Sequence, residues 1–351
     1  MPTSSPNLQS EKVSVSADAV FQAIAAGLTS TPKSLPAWLL YDAAGSALFE
    51  KITELPEYYL TRTETALLAT YAETIVSMVA RGSGLSIAEL GAGTAKKTSL
   101  LLDAASRLSG RIQYQPIDVS TAALEIACNN LNQTHPMIRV FPDHSNYVTD
   151  PLIIHPDAAN TGSVLAVYIG SSIGNFSSTE AERILRKLSS VLNDGQWLLL
   201  GTDLAPGPNK SIEDLLDAYD DSAGVTAEFN LNLLHRMNRE SAANFESSLF
   251  RHVARWNASQ SSIEMHLEAT TDCSASFVCT KPGEKTDRRV VHFRKGETIH
   301  TESSHKFEIS RLDQMLLAAG FRCRKRFCDT KTRYALTLAQ VVTAYDHPDQ
   351  A

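Results

Sequence analysis

Hydrophobic positions along this chain fall into two kinds of run. Between residues 86 and 203, short apolar stretches alternate with longer amphipathic ones. The short stretches predict strands at Ser86–Leu90, Gln113–Asp118, Ile138–Phe141, Val164–Ile169 and Trp197–Gly201. The longer ones predict helices over 97–107, 121–132 and 179–193. Apolar strands separated by helices point to a parallel sheet buried on both faces, an α/β fold. Upstream, periodicity predicts helices at Ala17–Leu28, Ala44–Leu55 and Thr63–Ala80, with breakers at Ser34-Leu35-Pro36 and Pro56-Glu57-Tyr58-Tyr59. Downstream the alternation stops after Thr202-Asp203. Residues 211–245 read as polar helix, and 249–293 as antiparallel strands at Ser262–Thr270, Ala275–Cys279 and Val290–Arg294. A helix at Ser310–Ala319 follows, then Phe321–Phe327 and Tyr334–Val342 as a hairpin joined through Asp329-Thr330-Lys331.

The first strand runs into Gly91-Ala92-Gly93, and Ser99-Leu100-Leu101-Leu102 opens a helix behind it. Glycine turns the backbone sharply and lets a ligand approach the main chain. The helix start offers unpaired N–H groups. Together they suit a nucleotide-like cofactor at the carboxyl ends of the strands. A dinucleotide fingerprint needs a third small residue where this chain has Lys96, which argues against a nicotinamide cofactor. Asp118 ends the second strand, where a carboxylate accepts hydrogen bonds from both ribose hydroxyls, and Asp143 follows the third strand. Either aspartate alone also suits a turn or cap. Lys97 reads as a first-turn helix lysine, either solvated or reaching an anionic part of the cofactor. Gly170-Ser171-Ser172-Ile173-Gly174-Asn175 follows the fourth strand, where acceptor and cofactor meet in such sheets. Asn175 there supplies an amide donor and acceptor, or simply starts the next helix. Glu302 and Ser304 alternate on an extended segment, so both point to one face and could grip a nitrogen heterocycle, or merely be surface polarity.

Composition narrows the partners. The net charge of −7 and pI near 5.8 argue against nucleic-acid or membrane-surface binding. No apolar run approaches the ~20 residues of a membrane span, and Met1–Lys12 lacks the apolar centre of a secretory signal. The five cysteines, Cys128, Cys273, Cys279, Cys323 and Cys328, are widely spaced and suggest neither a disulfide framework nor a zinc site. A cytoplasmic monomer acting on a small molecule is the expectation.

An α/β core closed by an antiparallel hairpin is the layout of Rossmann-like class I S-adenosylmethionine (SAM) methyltransferases. More specific blocks are Thr31-Pro32-Lys33-Ser34-Leu35-Pro36, Leu55-Pro56-Glu57-Tyr58-Tyr59, Glu89-Leu90-Gly91-Ala92-Gly93-Thr94, Leu200-Gly201-Thr202-Asp203, Tyr219-Asp220-Asp221 and Thr301-Glu302-Ser303-Ser304-His305-Lys306-Phe307. With the 170–175 loop, they resemble the histidine-specific SAM-dependent methyltransferases of ergothioneine biosynthesis from about Leu28 to the terminal hairpin. The resemblance implies three successive transfers to the α-amino group of L-histidine. It implies that Gly91, Gly93, Lys97, Asp118, Asp143 and Gly170 hold SAM. Asn175 and Tyr219 would fix the substrate carboxylate, and Tyr58 would lie beside the imidazole. Glu302 and Ser304 would bond the ring nitrogens, Met265 would shape the ring pocket, and Tyr41 would sit near the amine, where it or water is expected to take the proton that leaves before attack. Leu60, Ser172 and His144 depart from the family pattern, which has proline, threonine and an aromatic there. The organisation expected is a lead-in over 1–15, a helical part over 16–75 contributing to a smaller α+β substrate domain, and a SAM-binding core over 76–205. An inserted substrate-recognition region follows over 206–300, then a return to the core over 301–343 and a tail over 344–351. A same-fold enzyme for another amino acid such as tryptophan, and a non-catalytic SAM-binding protein, are the alternatives.

Overall fold

A computed structural model describes residues 17–80, 84–108, 110–155, 162–278, 287–331 and 333–342. The expected lead-in, the tail and Cys279 lie outside them. The central sheet has eight strands. Across it run Phe321–Cys328, Tyr334–Val341, Trp197–Asp203, Ser163–Tyr168, Gly84–Leu90, Arg111–Asp118 and Arg139–Val140, with Asp143–His144 also pairing to Arg111–Asp118. The hairpin strands are antiparallel and the others parallel.

The pleat explains why these strands are apolar throughout. Val164, Ala166 and Tyr168 pack on one face with Ile184, Leu188, Leu312 and Leu316, from helices Ser178–Val191 and Ile309–Ala318. Leu165 and Val167 alternate to the opposite face, against helices Tyr59–Val79 and Ser99–Leu108. Helix Ser178–Val191 begins where expected because Ser177 and Glu180 form a reciprocal capping box.

Cys273–Val278 and Arg288–Phe293 pair in a two-stranded sheet of their own, and the remaining strands form a four-stranded second sheet. Its order is Lys33–Ser34, Thr298–His305, Ser262–Ala269 and Phe250–Asn257. Helix Val225–Glu240 packs behind it, contributing Phe229 and Leu233 to the core shared with Leu267 and Ile299. Strand Phe250–Asn257 was not distinguished in the sequence, because Arg251 and Arg255 interrupt its apolar pattern and it sits at a sheet edge. The expected boundary between residues 300 and 301 falls inside a strand, so Glu302 and Ser304 belong to the second sheet rather than the core. The two sheets meet where Leu204 follows the core strand. Leu204 bridges to Phe307, and the Phe307 N–H donates to the Asp203 carbonyl at 3.0 Å. The end of a core strand thus meets the end of the strand that carries Glu302 and Ser304.

Candidate active site

The cofactor half is built mainly from backbone. Gly91 and Gly93 have φ of +67° and +53°, the left-handed region that glycine adopts without strain. A Cβ at Gly93 would meet nothing within 4 Å, so the loop borders open space. The Asp118 carboxylate accepts the Gly93 N–H at 2.9 Å and the Ser120 N–H at 2.8 Å, which locks it beside the glycine loop. Burial pushes its pKa up, against the pull of those N–H groups. An open glycine cradle beside a fixed carboxylate fits an adenosyl group with its ribose diol. Asp143 lies next in the sheet, in register with Ile117, and the Gln115 amide donates to it at 3.4 Å. His144 contacts the Val119 carbonyl at 3.0 Å through Nε2.

Lys97 needs a correction. The helix starts at Ser99, so Lys97 lies in the turn before it, and its ammonium pairs with Glu64. Glu64 went unrecognised in the sequence, though it interrupts the apolar stripe Leu60, Leu67, Leu68 of its helix. Its buried carboxylate also accepts the Gly170 N–H at 2.8 Å and the Tyr334 hydroxyl at 2.6 Å. Glu64 therefore ties the glycine loop, the 170–175 loop and the terminal hairpin together. Glu89, at the end of the central strand, accepts from Thr98 and Tyr114, and burial raises its carboxyl to about 7.

A cleft open to solvent runs from Gly91 and Gly93 past Lys97 and Gly170 to Tyr58. Glu302, Ser304, Tyr219 and Met265 are not part of its lining and are buried. Tyr58 stands at the junction, its ring 6.0 Å from that of Tyr219. The Ser222 hydroxyl donates to Glu57 at 2.7 Å, pinning the Tyr-Asp-Asp turn to the segment that carries Tyr58. Asp221 of that turn caps helix Val225–Glu240, accepting the Thr226 N–H at 2.7 Å.

The acceptor half is built from side chains. In strand Thr298–His305 the register against Ser262–Ala269 slips between His300 and Glu302, a bulge that re-aims the strand. Beyond it Glu302 faces Met265 and Ser304 faces Ile263, placing Glu302, Ser304 and Met265 on one side. Gly174 abuts the same strand: a Cβ there would come within 2.8 Å of the His305 carbonyl. This brings the loop ending at Asn175 alongside the second sheet. Two residues of this loop lie in the left-handed region, Gly170 at φ +84° and Ser171 at +57°, a strained turn at the seam.

Electrostatics distinguish Glu302. Its Oε2 is buried with no hydrogen-bond partner among the described residues. Burial pushes its carboxyl up to about 7, against the lowering effect of Lys306 and of a hydrogen bond from Tyr41. Tyr41 packs edge-on to Phe49 and Phe229, and burial, then Glu302, raises its phenol well above the ordinary value. Tyr219 and Ser304 share a hydrogen bond of 2.7 Å, and Lys306 donates to both at 3.0 Å. Lys306 also pairs with Asp203 at 2.9 Å, as does Lys210 at 2.6 Å, and the Tyr59 hydroxyl donates to Asp203 at 2.9 Å. Burial opposes ionisation of Asp203, but the two lysines hold it below its usual pKa. Asp203 and Lys306 meet across about a hundred residues of chain, a pairing with no local signal in the sequence.

Among the described residues, no group of three or more His, Cys, Asp or Glu could hold a metal ion, and no helix is long and apolar enough to cross a membrane. A family model for histidine-specific, SAM-dependent methyltransferases matches residues 20–341. The chain is 38% identical over 329 residues to histidine N-alpha-methyltransferase of Mycolicibacterium smegmatis, covering 92% of this chain and 95% of that protein. It is 36% identical over 316 residues to the protein of the same name from Mycobacterium tuberculosis, covering 89% and 92%. Among solved structures, magnesium protoporphyrin IX methyltransferase from Synechocystis is 10% identical, covers 86% of this chain and 95% of that one, and has a TM-score of 0.43. The two-part site and the end-to-end match place this chain in the family of histidine-specific, SAM-dependent methyltransferases.

Proposed function

We propose that this enzyme transfers methyl groups from SAM to the α-amino group of L-histidine, three times in succession, giving the trimethylated betaine that serves ergothioneine biosynthesis. The observation that carries this reading is the buried, unpartnered Glu302 Oε2 beside Ser304 and Met265. Such a buried oxygen is costly unless a ligand supplies a polar partner, and an imidazole supplies two nitrogens.

SAM supplies an electrophilic methyl on a sulfonium. Gly91, Gly93, Asp118, Asp143 and Gly170 would hold its adenosyl and amino-acid parts, with Lys97 reaching it only in partnership with Glu64. Tyr219 and Asn175 would hold the substrate carboxylate, with Tyr58 at the junction of the halves.

The incoming amine is mostly protonated, since even a peptide α-amino group has a pKa of about 8. Tyr41, held neutral by burial and by Glu302, is no proton acceptor; its hydroxyl orients Glu302 and shapes the pocket. The proton therefore leaves to water before attack, and positioning in a closed pocket does most of the work. Incubation with SAM and a panel of amino acids, followed by mass analysis, tests the reading. Additions of one to three methyl groups to histidine are expected; methylation of tryptophan instead, or SAM binding without turnover, would overturn it.

A further inference from the structure

We propose that Lys306 is a positioning residue that binds Tyr219 and Ser304 into one hydrogen-bonded unit, so that the carboxylate and the ring of the substrate are read together. This rests on the assignment of those two hydroxyls to the two ends of histidine.

The protons can be counted. An ammonium has three donors and no acceptor. Those of Lys306 are directed to Asp203 at 2.9 Å, Tyr219 at 3.0 Å and Ser304 at 3.0 Å. Each hydroxyl oxygen thus already accepts one hydrogen bond. The two hydroxyls carry two protons, and one of these lies in the 2.7 Å bond between them. One proton remains for the ligand. A substrate carboxylate accepts only, so Tyr219 must donate to it. Ser304 then donates to Tyr219 and meets the ring as an acceptor of an N–H, which leaves Glu302 for the other ring nitrogen. Without Lys306, each oxygen would lose a buried partner, and the two hydroxyls would no longer be held against each other by a common donor. Lys306 is itself fully buried and held by Asp203, which Lys210 and Tyr59 also engage, so its position does not depend on the ligand.

The test is a double-mutant cycle in the full chain, using Lys306→Met and Ser304→Ala and reading histidine kinetics at saturating SAM. Lys306→Met is expected to raise the histidine KM by about ten-fold or more, with kcat within about three-fold and S-adenosylhomocysteine affinity unmoved. The two substitutions together should cost clearly less than the product of their separate effects. An unchanged KM, or effects that simply multiply, would overturn the proposal. Should Lys306→Met not fold, Ser304→Ala alone decides. If the hydroxyls act as one unit, removing the ring contact also weakens carboxylate reading, so the preference for L-histidine over L-histidinol should shrink. A preference equal to that of the unmodified enzyme would sink the idea. Failure of the underlying substrate assignment would look different: the unmodified enzyme would not methylate histidine.

Discussion

The two halves of the site are made by different means. The cofactor half comes largely from one strand–turn–helix unit and the end of the neighbouring strand: the Gly91 N–H donates to the Ile117 carbonyl, and the Gly93 and Ser120 N–H groups donate to Asp118. It is open, and its carboxylate is held by the main chain. The acceptor half gathers Tyr58, Tyr219, Met265, Glu302 and Ser304 from segments far apart, and it is closed and held by side chains. A backbone-built site suits a cofactor shared by many enzymes, because its contacts come from the main chain once glycine supplies the positive φ at Gly91 and Gly93. A side-chain-built site suits discrimination, because each unpaired group penalises the wrong ligand.

The largest effect is expected at the seam between them. Asp203 ends a core strand, yet it neutralises Lys306 and Lys210 beneath the acceptor pocket. Asp203→Asn would leave two buried ammonium groups without their counter-charge and should cost about 3–5 kcal/mol of stability. Denaturant unfolding measures this. A change under about 1 kcal/mol would show that the seam is far less coupled than its geometry implies.

Next comes a cost built into the acceptor half. Folded Glu302 keeps its proton up to about pH 7, whereas an unperturbed glutamate loses it near 4.5. Between those values the folded state binds more protons than the unfolded one. The stability this provides is complete below about 4.5 and is lost as pH rises through about 7. A gap of that size is worth on the order of 3 kcal/mol. Glu302→Gln keeps the size and removes the titration. Relative to the parent protein, its stability should therefore improve between about pH 5 and about pH 8. Glu89 shifts the same way and is present in both proteins, so it cancels. A difference independent of pH would contradict the assignment.

The same contrast explains what was legible in the sequence. The core strands and the glycine loop follow from local periodicity, and they appear within a few residues of where the pattern puts them. The pairing of Lys97 with Glu64 has no local signal, because Glu64 lies 33 residues upstream on another helix. The alternation of Glu302 and Ser304 is visible locally, but their meeting with Tyr219 spans 85 residues and depends on a register shift after His300. No local rule anticipates that bulge, so histidine recognition came from family resemblance rather than from periodicity. Glu64 was the exception: a carboxylate in an apolar helical stripe is a local signal.

Two smaller effects would separate the halves functionally. Glu302→Ala should lower kcat/KM for histidine about 100-fold, leave S-adenosylhomocysteine affinity intact and make room for a bulkier aromatic such as tryptophan. Unchanged histidine kinetics would remove Glu302 from the site. Asp118→Asn should do the reverse. Its amide retains one oxygen but replaces the other with a donor, so one of the two N–H groups of Gly93 and Ser120 loses its acceptor, and the ribose diol loses the charge. A loss of about ten-fold in S-adenosylhomocysteine affinity is expected by calorimetry, because hydrogen bonds to a charged group are worth more than neutral ones. The histidine KM at saturating SAM should stay where it was. If it rises in step with the loss of cofactor affinity, the two halves are coupled through the glycine loop, and Glu64, which touches both loops, becomes the place to look.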